Sequence, residues 1–500
     1  MTIEIIDLIS ENTYGTVYSV KFLDKLYACK FMNIENYHIP FDFMSEINSV
    51  NRTNHPNIIK FDGFFFMNNN QCSIVMELGI CDLDDLIHHN DKEYDVKSIS
   101  YQILSALNHL NNRGIVTGDL KSENIIVFEN GRVALSDFGL SQINVFAKSS
   151  QWKFTNAYTI TYRAPEILKN RKYDEKAEAW AFGIILYELE NKEKIFIVED
   201  SDGCADDDKD VQLDCIYQKK TELEFYSKNP CLDDLIKKLL NDDPKKRISI
   251  HDALNHPYYK DLKSENIVKI KKRSILLQNQ LKVTQGNIGR NKKWNKILQK
   301  SIKLKKLNFN NNTIHNFIIN NSLTPRIINL SIQIMDRLTN LQDKFKKKEF
   351  LPLFYVTMYI AVQFCDVNYV TRGVDLIRDG HKLTSPAKFL DLQERAIECL
   401  NGNIYYTSPN DFIDYYSKKY DKEIIKFAHH ISLCLYITNL PFDYDSEQLA
   451  FFSLKLASGK NYVHDKFLDD DDFDEMNESL PKNFQKLIEK IPKVQEDIEY

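Results

Sequence analysis

The chain is poor in glycine and proline, with 15 and 13 in 500 residues. That excludes collagen-like and low-complexity classes. Its nine cysteines are scattered, with no C-x-x-C pair, so no zinc or dithiol motif is present and a reduced, intracellular setting is expected. No uncharged apolar run reaches the ~18 residues of a membrane span. The opening MTIEIIDLIS lacks the basic start and long apolar core of a secretory signal. Charge of one sign is missing too: the net charge is −6, so neither a membrane nor a specific nucleic-acid partner is expected. What remains is the composition of a folded protein, 43% apolar and 27% charged, long enough for two or three cores.

Apolar and β-branched runs dominate the first 85 residues. IEIIDLI, GTVYSVKF, LYACKFM and SIVMEL read as strands, with one helix between them. From 95 to 259 apolar residues recur at spacings of three and four, as in VKSISYQILSALNHLNNR, and predict mostly helix. The acidic run VEDSDGCADDDKDVQLD (198–214) reads as a solvated loop rather than a metal site. Residues 261–307 form a basic linker, with about fifteen Lys or Arg against two acids over 260–306. Its KIKKR is either ordinary linker charge or a nuclear-import signal, so cytoplasm and nucleus stay open. Beyond it the chain is helical, closing on FLDDDDFDEMNE and a last amphipathic segment.

The stretch GIVTGDLKSENIIV (114–127) resembles the catalytic loop of protein kinases, H-R-D-L-x-x-x-N, with Thr117 at the His and Gly118 at the Arg. Phosphoryl transfer is mostly positioning and charge neutralisation, so few groups are needed. Lys30 in YACK matches the strand lysine for the α- and β-phosphates, and Glu46 the helix carboxylate that holds it. Asn124 and Asp137 supply hard oxygens for Mg²⁺. Asp119 is placed for the substrate hydroxyl proton, and Lys121 for the transferred phosphate in Ser/Thr kinases. These groups stand in family order and are followed by YRAPE (162–166), whose Glu166 has a candidate partner in Arg247. The resemblance covers residues 1–260 and implies an α+β bilobal protein kinase fold, with ATP and Mg²⁺ as cofactors.

Within that superfamily the chain is most similar to cyclin-dependent kinases. SENTYGTVY (10–18) looks like their glycine-rich loop, and IPFDFMSE occupies the place of the cyclin-binding helix. By position, Ile9, Val17 and Ala28 would line the adenine site from above and Ile126 from below. Met76 would be the gatekeeper, the backbone of Glu77 and Gly79 would bond the adenine edge, and Asp82 would reach the ribose. Of the loop glycines only Gly15 remains, with Ser10 and Asn12 at the others; Asn tolerates left-handed backbone and is expected to let the loop close. Glu178, in AEAWAFG, replaces an anchoring Asp, and either compensates for the shorter Thr117 or records drift. Thr13 and Tyr14 are either an inhibitory phosphorylation pair or ordinary loop residues.

In the family, three arginines hold the activation-loop phosphothreonine, because a dianion needs charge-assisted partners. Here the three positions are Gly118, Ser45 and Gln142, and the phosphothreonine position falls on Phe154, one residue from Thr155. Regulation by that phosphate is therefore expected to be lost while the chemistry is kept. Thr159 and Arg163 remain, and Lys121 with Thr159 favours Ser/Thr acceptors; Tyr158 puts proline preference in doubt.

LPLFYVTMYIAVQF (351–364) is uncharged on every face and must be buried all round. With LTPRIINLSIQIMDRL before it and LQERAIECLNGNIYYTSPNDFIDYY after, it resembles the cyclin box. The implied organisation is kinase 1–260, linker 261–307, an all-α cyclin-like domain 308–418, then a partial second box and acidic tail 419–500. An unrelated helical bundle is the alternative. The Lys and Glu with which cyclins grip the kinase helix correspond to Gln363 and Glu394. A flexible linker of about fifty residues spans roughly 35–42 Å, against about 45 Å for the kinase domain, so intramolecular activation is expected. The rival reading is a pseudokinase or scaffold that binds nucleotide and partner proteins without transferring phosphate.

Overall fold

The computed structural model describes residues 3–143, 152–153, 159–195, 229–264, 324–365, 376–405, 408–416, 422–437 and 446–458, apart from a few positions within these ranges. The acidic loop 198–214, nearly all of the linker, residues 308–323, the acidic tail, Thr13, Tyr14, Phe154, Thr155 and Tyr158 lie outside the described residues. The chain divides into two compact units, Met1–Arg273 and Ser274–Tyr500.

The first unit is bilobal. Its N-terminal lobe is an antiparallel sheet of β1 (Glu4–Asn12), β2 (Gly15–Phe22), β3 (Lys25–Asn33), β4 (Phe61–Met67) and β5 (Gln71–Glu77), ordered β1-β2-β3-β5-β4. The four runs foreseen as strands are β1, β2, β3 and β5. The fifth strand, FDGFFFM, carries no clean alternation and was not foreseen; its register shifts between Phe61 and Gly63. The lobe's helix, α1 (Phe41–Val50), follows Pro40 and is buried from Phe43 to Val50. Gly15 sits at φ +143°, where a Cβ would lie 2.5 Å from the Phe31 carbonyl oxygen, so only glycine fits that turn. Asn12 pairs with Gly15 in extended backbone and is absent from the positive-φ positions. The left-handed geometry expected of Asn12 is not used.

The second lobe is helical, with short strands the periodicity did not announce. In chain order these are β6 (Cys81–Asp82), α2 (Leu83–His88), α3 (Val96–Asn111), β7 (Ile115–Val116), β8 (Ile125–Val127), β9 (Val133–Leu135) and β10 (Gln142–Ile143). Then come β11 (Trp152–Lys153), α4 (Pro165–Asn170), β12 (Lys172–Tyr173), α5 (Glu175–Asn191), α6 (Pro230–Leu239) and α7 (Ile250–Leu254). Helix starts follow capping chemistry: Asp82, Asp95, Asp174, Asn229 and Ser249 each accept a backbone N–H of the first turn. α5 is the spine of the lobe, with Ala177–Leu186 buried without interruption. It packs against α3, α6 and α7.

The second unit is helical where described: α8 (Pro325–Asn340), α9 (Phe350–Cys365), α10 (Pro386–Cys399), α11 (Pro409–Tyr416), α12 (Lys422–Ile437) and α13 (Ser446–Ser458). Thr324-Pro325 and Ser385-Pro386 open two of them as cap and first helical residue. α9 is the apolar run, buried from Pro352 to Gln363 as its sequence demands, and packs against α8 and α10. Polar ties cross this core. Arg326 pairs with Asp411 at 2.7 Å, and the Tyr405 hydroxyl donates to the same carboxylate at 2.9 Å. Asn329 donates to Asn410 at 2.9 Å, and Ser432 also donates to Asn410.

Candidate active site

The site is built where the sheet meets the first turns of the helical lobe. β3 carries Lys30, whose ammonium lies 3.0 Å from Glu46 Oε2 on α1 and 2.9 Å from Asp137 Oδ1. Lys30 and Glu46 are only 4% and 1% exposed, so this is an ion pair out of water. Burial works against the Lys30 charge, but Asp137 and Glu46 overcome it and hold its pKa above the ordinary lysine value. Burial would likewise raise Asp137, and Lys30 reverses the shift, leaving that carboxyl below its usual range. Asp137 stands at φ +54°, and its Oδ1 also accepts from the Gly139 N–H at 3.3 Å.

The loop after β7 sets the second half. Asp119 Oδ1 accepts the Thr159 N–H at 2.7 Å and hydroxyl at 3.0 Å, and Lys121 Nζ lies 2.9 Å from Oδ2. Lys121 also donates to the Thr159 hydroxyl at 3.1 Å, so Thr159 joins the acid and the cation. Asn124 turns its amide nitrogen to the Asp119 carbonyl at 2.8 Å. Its amide oxygen, together with the second Asp137 oxygen, is a hard-oxygen donor set of the kind Mg²⁺ takes. Among the described residues no three His, Cys, Asp or Glu cluster as a protein-only metal cage.

The expected nucleotide-lining residues fall together in register. Val17 faces Lys30 across β2–β3, Ala28 faces Met76 across β3–β5, and Asp82 faces Ile126 across β6–β8. A Cβ on Gly79 would lie 2.1 Å from Ile126 Cγ2, so that strand and the segment after Glu77 abut. Ile9 is exposed on β1. Asp82 Oδ1 caps α2 at 2.8 Å from Asp85 N, which ties up one oxygen of the expected ribose carboxylate. The Glu77 side chain pairs with Arg132 at 2.7 Å and takes no part in the backbone contact expected of that residue.

The departures from the family pattern turn out to be paired. Thr117 donates its backbone N–H at 2.7 Å and its hydroxyl at 2.9 Å to one oxygen of Glu178, which is fully buried on α5. The longer acid reaches the shorter hydroxyl. Burial pushes the Glu178 carboxyl up to about 7, against the pull of the two Thr117 bonds. Gly118 stands at φ +79°, and a Cβ there would sit 2.3 Å from the Leu140 carbonyl oxygen. Gln142 is taken into strand pairing with Val116. Arg247 grips Glu166 with both terminal nitrogens, at 2.7 and 2.9 Å, as the sequence implied.

Three serines were not anticipated as a group: Ser45 and Ser49 on α1, and Ser141 beyond Gly139. Ser141 had no motif to mark it, and Ser45 drew notice only as a missing arginine. Their hydroxyls meet, with Ser49 and Ser141 Oγ 2.6 Å apart. In the second unit, Gln363 is buried and its Oε1 lacks a hydrogen-bond partner among the described residues. Burial, and then Asp391 and Glu398, raise the Glu394 carboxyl.

Residues 3–259 match the family model described as protein kinase domain. Among curated relatives, a probable serine/threonine-protein kinase, fhkB, of Dictyostelium discoideum is 34% identical over 225 residues, covering 43% of this chain and 19% of the relative. An Aurora kinase of the same organism is 27% identical over 233 residues, covering 45% and 56%. The serine/threonine-protein kinase cds1 of Schizosaccharomyces pombe is 28% identical over 270 residues, covering 52% and 56%. The chain thus spans a fifth to little more than half the length of these relatives.

Proposed function

The chain belongs to the protein kinase family, and from that premise we propose that it is an ATP-dependent serine/threonine protein kinase of cyclin-dependent type. In this reading its own cyclin-like helical region activates it in cis, without activation-loop phosphorylation. The observation that carries the first part is Lys30 bridging Glu46 and Asp137, the arrangement that phosphate positioning needs. When bound, Mg²⁺ supplies charge neutralisation on the nucleotide, and Asn124 and Asp137 are the residues that would hold it. Asp119 takes or orients the acceptor hydroxyl proton, and Lys121 faces the transferred phosphate. Support for freedom from phosphothreonine comes from Gly118, Ser45 and Gln142, none of which can pair a dianion.

Support for the cyclin-like part is α9, buried without interruption from Pro352 to Gln363, with amphipathic helices before and after it. Gln363 and Glu394 are its proposed grip on the kinase helix, and protein substrates and this intramolecular domain are the proposed partners. A tether raises effective concentration, up to the order of millimolar for short linkers.

The test is phosphate transfer from labelled ATP to a Ser/Thr peptide mixture, using the full chain from a host without activating kinases. Transfer that disappears in Asp137→Asn supports the kinase reading. ATP binding without any transfer favours the scaffold. Specific activity that holds on hundred-fold dilution, and falls in Glu394→Ala, supports activation in cis. Activity lost on dilution argues for a separate partner.

A further inference from the structure

Glu46 can serve Lys30 only while α1 keeps its place, and three serine hydroxyls join α1 to the segment after Asp137. Ser45 and Ser49 are four apart and so lie on one face of α1, with Ser45 directly preceding Glu46. Ser141 is the second residue after Gly139. All three are buried, at 1%, 0% and 2% exposure. Their protons can be assigned. The Phe138 carbonyl can only accept, and Ser141 Oγ lies 2.6 Å from it, so the Ser141 hydroxyl donates there. Ser141 Oγ then accepts from Ser49 at 2.6 Å. Ser45 donates to the Ser141 carbonyl, its shortest contact at 2.9 Å, with the Phe138 carbonyl and Ser141 Oγ each 3.2 Å away. Three hydroxyls, three protons and three acceptors close without a charge.

We propose that Ser45, Ser49 and Ser141 are positioning residues for phosphoryl transfer: together they clasp α1 to the backbone that follows Asp137. The inference rests on the kinase reading and adds the device that replaces a phosphate–arginine cluster. Lys30 draws its two carboxylates from separate segments, Glu46 from α1 and Asp137 from the position immediately before the Phe138–Ser141 stretch. The clasp sews those two segments together, so it fixes both carboxylates at once. Each neutral bond shifts the docking of α1 by roughly two- to ten-fold.

The test uses the full chain with Ser49→Ala, Ser141→Ala, and the double variant of Ser45→Ala with Ser141→Ala. Hydrogen exchange of residues 41–50 is read beside kcat/KM. Ser249→Ala serves as control, since it removes a helix cap in α7 outside the clasp. The expected result for Ser141→Ala is exchange in α1 at least about ten-fold faster and kcat/KM about ten-fold lower. The double variant should cost more than Ser141→Ala, because the Ser141 carbonyl that accepts from Ser45 survives the single substitution. Ser249→Ala should lower the unfolding temperature without loosening α1. Unchanged α1 exchange and unchanged kcat/KM in Ser141→Ala overturn the proposal. If that variant does not fold, Ser49→Ala, which removes only the outer donor, decides by the same criterion. Should the parent chain transfer no phosphate at all, the kinase reading falls. Faster α1 exchange in that case would leave the serines a structural tie and remove their positioning role.

Discussion

Thr117 and Glu178, sixty-one residues apart in sequence, meet through two hydrogen bonds to a single carboxylate oxygen. The bonds brace the catalytic loop from α5, so the two departures from the family pattern compensate for each other. Thr117→Ala should cost about 1–2 kcal/mol, the worth of a hydrogen bond to a buried, partly charged acceptor. Glu178→Ala should cost more, because it strands the Thr117 N–H in the core. A double-mutant cycle in denaturant should show coupling of at least about 0.5 kcal/mol. Additive costs would mean the contact carries no energy.

Acid–base behaviour follows from Glu178 and from Glu188. Burial pushes Glu188 up to about 8; it also accepts from the Tyr162 hydroxyl at 3.0 Å. A carboxyl raised in the folded state keeps its proton longer than in the unfolded chain. Its contribution is therefore complete below the ordinary glutamate range and is lost as pH rises through the folded value. Stability should fall from about pH 5 to about pH 8, by an amount on the order of 1–3 kcal/mol. Glu188→Gln, which can still accept from Tyr162, should flatten that slope. Thermal unfolding scans across the range check it, and a rising curve would refute it.

Arg247 should be irreplaceable by lysine. It is 1% exposed, forks onto Glu166 and lies 5.1 Å above the Trp180 ring. Arg247→Ala leaves Glu166 unpaired and should cost about 3–5 kcal/mol. Arg247→Lys should recover less than half, since a point charge cannot make the two parallel bonds. Guanidinium unfolding curves of both variants test the order.

Restoring the arginine the catalytic loop lacks should do harm. Gly118→Arg would force a Cβ against the Leu140 carbonyl at a positive φ, and Gly118→Ala carries the same strain. Both should lose about 1–3 kcal/mol of stability and much of the transfer rate. Gain of activity in Gly118→Arg after treatment with an activating kinase would contradict this.

The groups proposed for the chemistry stood out in the sequence because each sits at a fixed offset from a local signal. Lys30 follows the apolar run Leu26–Cys29, Asn124 lies five residues after Asp119, and Asp137 begins an Asp-Phe-Gly. The burial of α9 from Pro352 to Gln363 was legible for a similar reason, as a helix with no polar face has one place to go. β4 escaped because its phenylalanines do not alternate and Gly63 interrupts them. The serine clasp escaped for a deeper reason. A hydroxyl has no sequence period, and Ser45 and Ser141 are joined only by the fold. The Thr117–Glu178 brace stood between: both substitutions were visible, but only geometry could tell compensation from drift.

Gly118 is also held by its surroundings. With the Leu140 carbonyl packed where a side chain would begin, no single substitution at 118 can bring back a larger residue without moving the neighbouring segment. The segment in turn is tied down at Ser141. Position 118 and the Phe138–Ser141 stretch therefore constrain each other, and a larger side chain at one requires a matching change at the other.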